Sequence, residues 1–303
     1  MILFFSKNIN MDYFKLRDWI DIDKLNWNIL SYNLNAIKLL EENPDKINWS
    51  YLSSNPNAIE LLEKNKELIN WCQLSCNPNA IKLLEKNPKK INWCYLSKNP
   101  NGIKLLRKNL DKIDWYYLSS NPNAISILQE NLDKIDWFAL SANPNAMKLL
   151  INKKYKINWD KLSSNLNAIK VLMDNKSNIN WDKLSFNLNA INILKDNQNK
   201  INWYELSRNK NAIKLLNDNQ DKINWFALSL NQNAMKLLEE NLEKINWCYL
   251  SSNPSIFTYD YEKIRKNFEE LGEEIIAKAL HPKRIFRLIE EYGEEEIYDN
   301  YFE

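Results

Sequence analysis

The chain has 303 residues, 26% of them charged, a net charge of +2, and only three glycines and one histidine. A chain of this length ordinarily carries roughly 20 glycines, so Gly102, Gly272 and Gly293, scattered singly, exclude a G-x-G-x-x-G dinucleotide turn and a P-loop, both of which need clustered glycines for close backbone approach to phosphate. The single His281 excludes a multi-histidine metal site and disfavours a histidine-centred triad, and the near-neutral charge singles out neither nucleic acid nor an anionic membrane as partner.

The N-terminal apolar run Met1 to Phe5 is too short for a signal-peptide core and is ended by Ser6 and Lys7. No run approaches the ~20 apolar residues of a membrane span. With only Cys72, Cys76, Cys94 and Cys248, the expectation is an intracellular chain with reduced thiols and no membrane partner. Residues 1–26 read as an N-terminal cap, whose Phe4, Phe5, Phe14, Leu16, Trp19 and Ile20 could cover the apolar side of the first repeated layer.

From residue 27 to 254 one unit repeats. Its tryptophans, from Trp27 to Trp247, recur every 22 residues without insertion or deletion, giving eleven units, and only Trp19 lies off the ladder. A fixed period of this size is the signature of a solenoid. We number the units by their tryptophans, unit 1 at Trp27 and unit 11 at Trp247. Unit 2 shows the pattern: Asn48 precedes Trp49, and Asn55 precedes Pro56. Both asparagines are placed to cap helices, and proline suits the first helical position because it has no N–H to leave unsatisfied. Asp114 and Asp136 replace the first asparagine in two units, and Leu166, Lys210 and Gln232 stand where Pro56 stands. Trp49 and Leu52 share one face of the first segment, while Ala58, Ile59, Leu61 and Leu62 share one face of the second. Each unit therefore reads as a short helix of about 6 residues and a longer one of about 9, too short to persist alone and held by stacking on neighbours. Laid end to end, eleven layers would span on the order of 100 Å. The competing fold is a leucine-rich-repeat horseshoe, whose strand would have to be Ile47 to Trp49. The expected class is all-α, an α-solenoid with helical caps at both ends.

Residues 255–303 form the C-terminal helical cap. A long helix is expected from Asp260 to Leu280, broken by His281-Pro282, then a last helix from Pro282 to Tyr292 stopped by Gly293. This end holds 7 Lys/Arg against 13 Asp/Glu, net −6, which leaves +8 spread over the rest.

The unit K-I-N-W-x-x-L-S-x-N-P-N-A-I-x-L-L-E-x-N, followed by Asn253 to Tyr261 and His281 to Arg284, resembles the Asn/Trp-rich 22-residue repeat proteins encoded by giant viruses of the mimivirus group. The resemblance covers about residues 27–292. It implies a repeat fold and the cytoplasm of an infected host cell. It carries no activity and no catalytic residue.

No residue set calls for a cofactor or a metal. Cys72 and Cys76 are i, i+4 and Cys94 follows one unit on, but a zinc site would need a fourth ligand. The eleven Ser53-type serines lack a base to activate them and read as small residues admitting close helix approach. The tryptophans sit at core spacing and are expected to stack between layers; the asparagine ladders read as caps. What the repeat leaves free is a stripe on the first helices: Tyr51, Gln73, Tyr95, Tyr116, Tyr117, Phe138, Asp160, Lys161, Asp182, Lys183, Tyr204, Glu205, Arg208, Phe226 and Tyr249. Stacked units align such positions into one surface. The expectation is a non-enzymatic scaffold binding a protein or peptide, such as a host factor, along that stripe. The alternative is a single-stranded RNA reader with one nucleotide per unit; the acids Asp160 and Asp182 oppose it.

Overall fold

Each unit is built from short helical pieces. In a computed structural model, which describes residues 13–279, 281 and 284–288, unit 2 runs as an α-helix Trp49–Ser54, a 3-10 turn Pro56–Ala58, an α-helix Ile59–Lys64 and a second 3-10 turn Lys66–Leu68. The repeated helical array expected from the sequence is present. The Pro/Asp/Lys connection between units is itself a 3-10 turn, as at Pro44–Lys46.

The core is built of leucine, alanine and isoleucine. Leu52 and Leu62, with their equivalents in the other units, are fully buried, as are Ala58 and its equivalents, and Ile47 lies almost as deep. The tryptophans do not form the stacked interior expected of them. Every ladder tryptophan is only half-buried, and none of the ring–ring contacts among the described residues involves one. A lysine from the next unit lies over the indole face instead: Lys46 over Trp27 at 4.3 Å and Lys200 over Trp181 at 4.5 Å, with six more of the same kind. An indole large enough to bridge a layer keeps one face outward, where a cation is attracted to its quadrupole.

Polar groups tie the layers together. The Asn55 side chain accepts from the Asn57 N–H as a cap, and its amide donates to the carbonyls of Ser31 (3.3 Å) and Asn33 (2.9 Å) of the preceding unit. Ser53 donates to the Trp49 carbonyl at 2.7 Å and accepts from the Asn70 N–H of the next unit at 2.9 Å. Asn57 donates to the Leu34 carbonyl at 2.9 Å. These serines and asparagines are more than spacers and caps: they satisfy buried backbone groups across each interface.

The same bonds join the last unit to the first. Asn33 donates to the carbonyls of Ser251 (2.9 Å) and Asn253 (3.0 Å), the Asn26 N–H to Ser251 Oγ (2.8 Å), and Asn35 to the Pro254 carbonyl (3.0 Å). Lys24 lies over Trp247 as Lys46 does over Trp27. The solenoid is thus a closed ring of eleven units, with no open layer at either end for a cap to cover. Unit 11 is completed from the other end of the chain. Arg17 donates from its backbone to the Ile256 carbonyl (2.9 Å) and from Nε to the Ser255 carbonyl (2.8 Å). Ile20 and Leu25 are buried, and the turn Ile22–Lys24 takes the register of Pro44–Lys46.

The described residues fall in two compact units, of which the ring, 16–257, is one. The other contains the helix Tyr261–Ala279, as expected from residue 260 onward, with the Asp260 N–H bonded to the Tyr13 carbonyl at 2.7 Å. The N-terminal segment enters as a strand, Phe14–Leu16, paired with Phe257–Tyr259, where a helix was expected. Phe4, Phe5 and Gly293 lie outside the described residues, and of the last expected helix residues 284–288 are described and helical.

Candidate binding surface on the inner wall

Closure decides which face is concave. At eight of the eleven steps neighbouring first helices pack directly against one another, whereas second helices are set farther apart. In a closed ring the more tightly spaced layer is the inner one. Eleven steps at helix-packing distance give a circle about 30 Å across between helix axes. The stripe read from the sequence therefore belongs to the inner wall.

Its aromatic members are open to solvent. Tyr51, Tyr95, Tyr116, Phe138, Tyr204 and Phe226 are each between 38% and 46% exposed, while Tyr117 and Tyr249 are half-buried. Some touch their neighbours edge-on, as Phe226 and Tyr249 do at 4.2 Å and Tyr116 and Tyr117 at 5.3 Å. Each stands on a helix whose start is held by an Asn or Asp cap, as Asn92 holds the Tyr95 N–H at 3.0 Å.

The charged members behave differently. Asp160 accepts from the Asn180 amide at 2.8 Å and Asp182 from the Asn202 amide at 3.0 Å. These carboxylates are engaged by the capping residue of the next unit, as Asn28 and Ser50 are in theirs. In these units the position after the tryptophan thus serves the interface as well as the wall. Glu205 pairs with Arg208 at 3.3 Å, Arg208 stacks over Phe186 at 5.0 Å, and Lys161 covers Phe138 at 4.9 Å. Lys183 is exposed and Gln73 half-buried. The three acids and three bases, Asp160, Lys161, Asp182, Lys183, Glu205 and Arg208, all fall in units 7–9 and cancel. Units 2–6 present an almost uncharged aromatic wall.

Burial pushes the Cys76 thiol up from its ordinary value, and Cys94 is raised by burial together with its hydrogen bond to Asp114. Among the described residues no group of three or more His, Cys, Asp or Glu is placed to hold a metal ion, and no helix is long and apolar enough to cross a membrane.

The stripe, of which Arg208 is a member, also has a margin, at the positions after the second capping asparagines, that sequence reasoning did not assign to the surface. In units 7–10 an open groove of about 330 Å³ runs across the ring, lined by Ser164 and Leu166, then Phe186 and Leu188, then Arg208 and Lys210, then Leu230 and Gln232. The signal was visible: Leu166, Lys210 and Gln232 break the proline ladder, and so does Leu188. What the sequence withheld was that the second position of each pair lies beside the first in space.

Compared with family models, curated proteins and solved structures, the chain matches none.

Proposed function

We propose that the ring is a non-enzymatic scaffold that binds a protein or peptide along its inner wall. The observation that carries this reading is the row of half-exposed aromatic rings on helices bonded to both neighbours. Tyrosine and phenylalanine supply large contact areas at low conformational cost, and aromatic anchors dominate interface energetics. A support already rigid before binding loses little further entropy when it is occupied. The rival reading as an RNA track is weakened because the wall's bases are matched by acids. Phosphate recognition rests on cations that can displace counterions along the strand. On the resemblance to viral repeat proteins, the partner would be a protein met inside an infected cell.

A phage-displayed library of 12-residue peptides, selected on the full chain, tests this. Selected peptides should slow amide exchange in first-helix segments such as Trp93–Lys98 and leave second-helix segments unchanged. Failure to enrich any peptide, or protection confined to the second helices, rules the reading out.

A further inference from the structure

Two departures from the repeat coincide in the groove of units 7–10. The position that follows the second capping asparagine is proline in units 2–6 and 11, but Leu34 in unit 1 and Leu166, Leu188, Lys210 and Gln232 in the consecutive units 7–10. Over the same four units the residue before that asparagine reads Ser164, Phe186, Arg208 and Leu230, against Tyr32, Ser54, Cys76, Lys98, Ser120, Ala142 and Ser252 in the other units. Nothing in the backbone requires the loss of proline. Asn187 and Asn209 have φ/ψ of −69°/117° and −75°/112°, matching Asn55 at −76°/117°, which does precede a proline. Four consecutive units forgo a preset helix start, and their replacements line a single groove.

The chemistry of the lining is specific. Leu166, Phe186 and Leu188 make an apolar stretch on one side, Leu230 continues it on the other, and Arg208 with Lys210 stand between. No acid lines the groove. Arg208 is shared with Glu205, while the exposed Lys210 ammonium has no partner among the described residues. A fatty acid carries its charge at one end. A cationic step with apolar surface on both sides instead suits a polymer with an acid inside an aliphatic run. The register fits as well. Neighbouring packed helices are about 8–10 Å apart, and a polyproline II peptide advances about 9.3 Å in its three-residue turn, so every third side chain meets a new unit.

We infer that this groove is the docking channel for an extended acidic peptide, taking aliphatic, aliphatic, acidic and aliphatic side chains at every third position across units 7–10. The inference rests on the peptide-binding reading above and locates its anchor.

The test uses the full chain and a fluorescein-labelled amide, Leu-Pro-Ser-Leu-Pro-Ser-Glu-Pro-Ser-Leu, together with the reversed sequence. Saturable anisotropy is expected with one of the two, at least tenfold weaker when its Glu is Lys. The double variant Leu188→Pro/Lys210→Pro restores the repeat's own residue, and should weaken binding at least tenfold while the melting temperature holds or rises. Lys210→Glu should recover binding of the Lys-bearing probe. Equal binding of the two probes, undiminished binding by the double variant, or no saturation by about 1 mM overturns the inference. If selected peptides still protect the first helices in that event, the channel is wrong and the scaffold reading stands; if nothing protects them, both fall.

Discussion

At the scale of single residues, asparagine does what glycine and ordinary side-chain packing do elsewhere. The amide of Asn121 donates to the buried carbonyls of Ser97 and Asn99, and its oxygen holds the Asn123 N–H. Removing it strands the Ser97 carbonyl and a cap, while the Asn99 carbonyl keeps the Gly102 N–H. Each buried unsatisfied group costs about 1–3 kcal/mol and a lost cap about 1 kcal/mol. Asn121→Ala should therefore lower the urea-derived unfolding free energy by about 3 kcal/mol. Asn123→Ala, which removes one exposed bond to the Pro100 carbonyl, should cost about 1 kcal/mol or less. The thiols give a second residue-scale prediction. Cys76 and Cys94, both raised, hold less thiolate than ordinary at pH 8, and the thiolate is the nucleophile. Mass-spectrometric timing of iodoacetamide labelling should find both slower than the exposed Cys72 and Cys248. Because their thiolate fraction rises toward higher pH, the gap should narrow there. The glycine deficit is also a residue-scale matter: even Gly102 stands where other units bury alanine, with φ −75°.

At the scale of elements, helix starts were legible in the sequence and interfaces were not. Asn48-Trp49 and Asn55-Pro56 mark their helices because capping is a local event, decided within three or four residues. The second duty of Asn55, toward Ser31 and Asn33, spans more than 20 residues and leaves no local trace. The tryptophans misled for a related reason. Their spacing puts them on the core side of a helix, but spacing does not say how much of a large ring fits between layers. The structure leaves one face outward under lysine. Proline replacement gives the element-scale prediction. Asn165 is the second capping asparagine of unit 7 and its side chain holds the Asn167 N–H at 2.9 Å, so Leu166→Pro should meet a prepared site. It should raise stability by about 0.5–1 kcal/mol, measured in urea, chiefly by restricting the unfolded chain. A loss of stability there would show that the leucine is needed for folding and not for the groove.

At the scale of the whole molecule, the ring changes what an end means. In an open array Asn33 would face no neighbour, and Asn33→Ala would be mild. Here its amide reaches Ser251 and Asn253, so the substitution should cost as much as Asn121→Ala, about 3 kcal/mol. Equal urea midpoints for wild type and Asn33→Ala would argue for an open array. Nearest-neighbour energetics, which treat an open array as a sum over interfaces with two free ends, then gain a term joining the ends. Closure was half-written in the sequence. Asp23-Lys24-Leu25-Asn26 repeats Asp45-Lys46-Ile47-Asn48 without the half-unit that should precede it, and Trp247 to Ile256 is a first half without a second. Two orphaned halves at opposite ends make one unit.

The unit, its period, its helix starts and its variable positions can all be read from the order of residues, because each is set by interactions within a few residues and repeated eleven times. Three features emerge only in three dimensions: the array closes, the first helices face inward, and four consecutive units without proline line one groove together with Phe186, Arg208 and Leu230. Those depend on the small rotation between successive units, about 33° when eleven complete a circle. That angle is fixed by how serine, asparagine and leucine pack across each interface, and no single unit contains it.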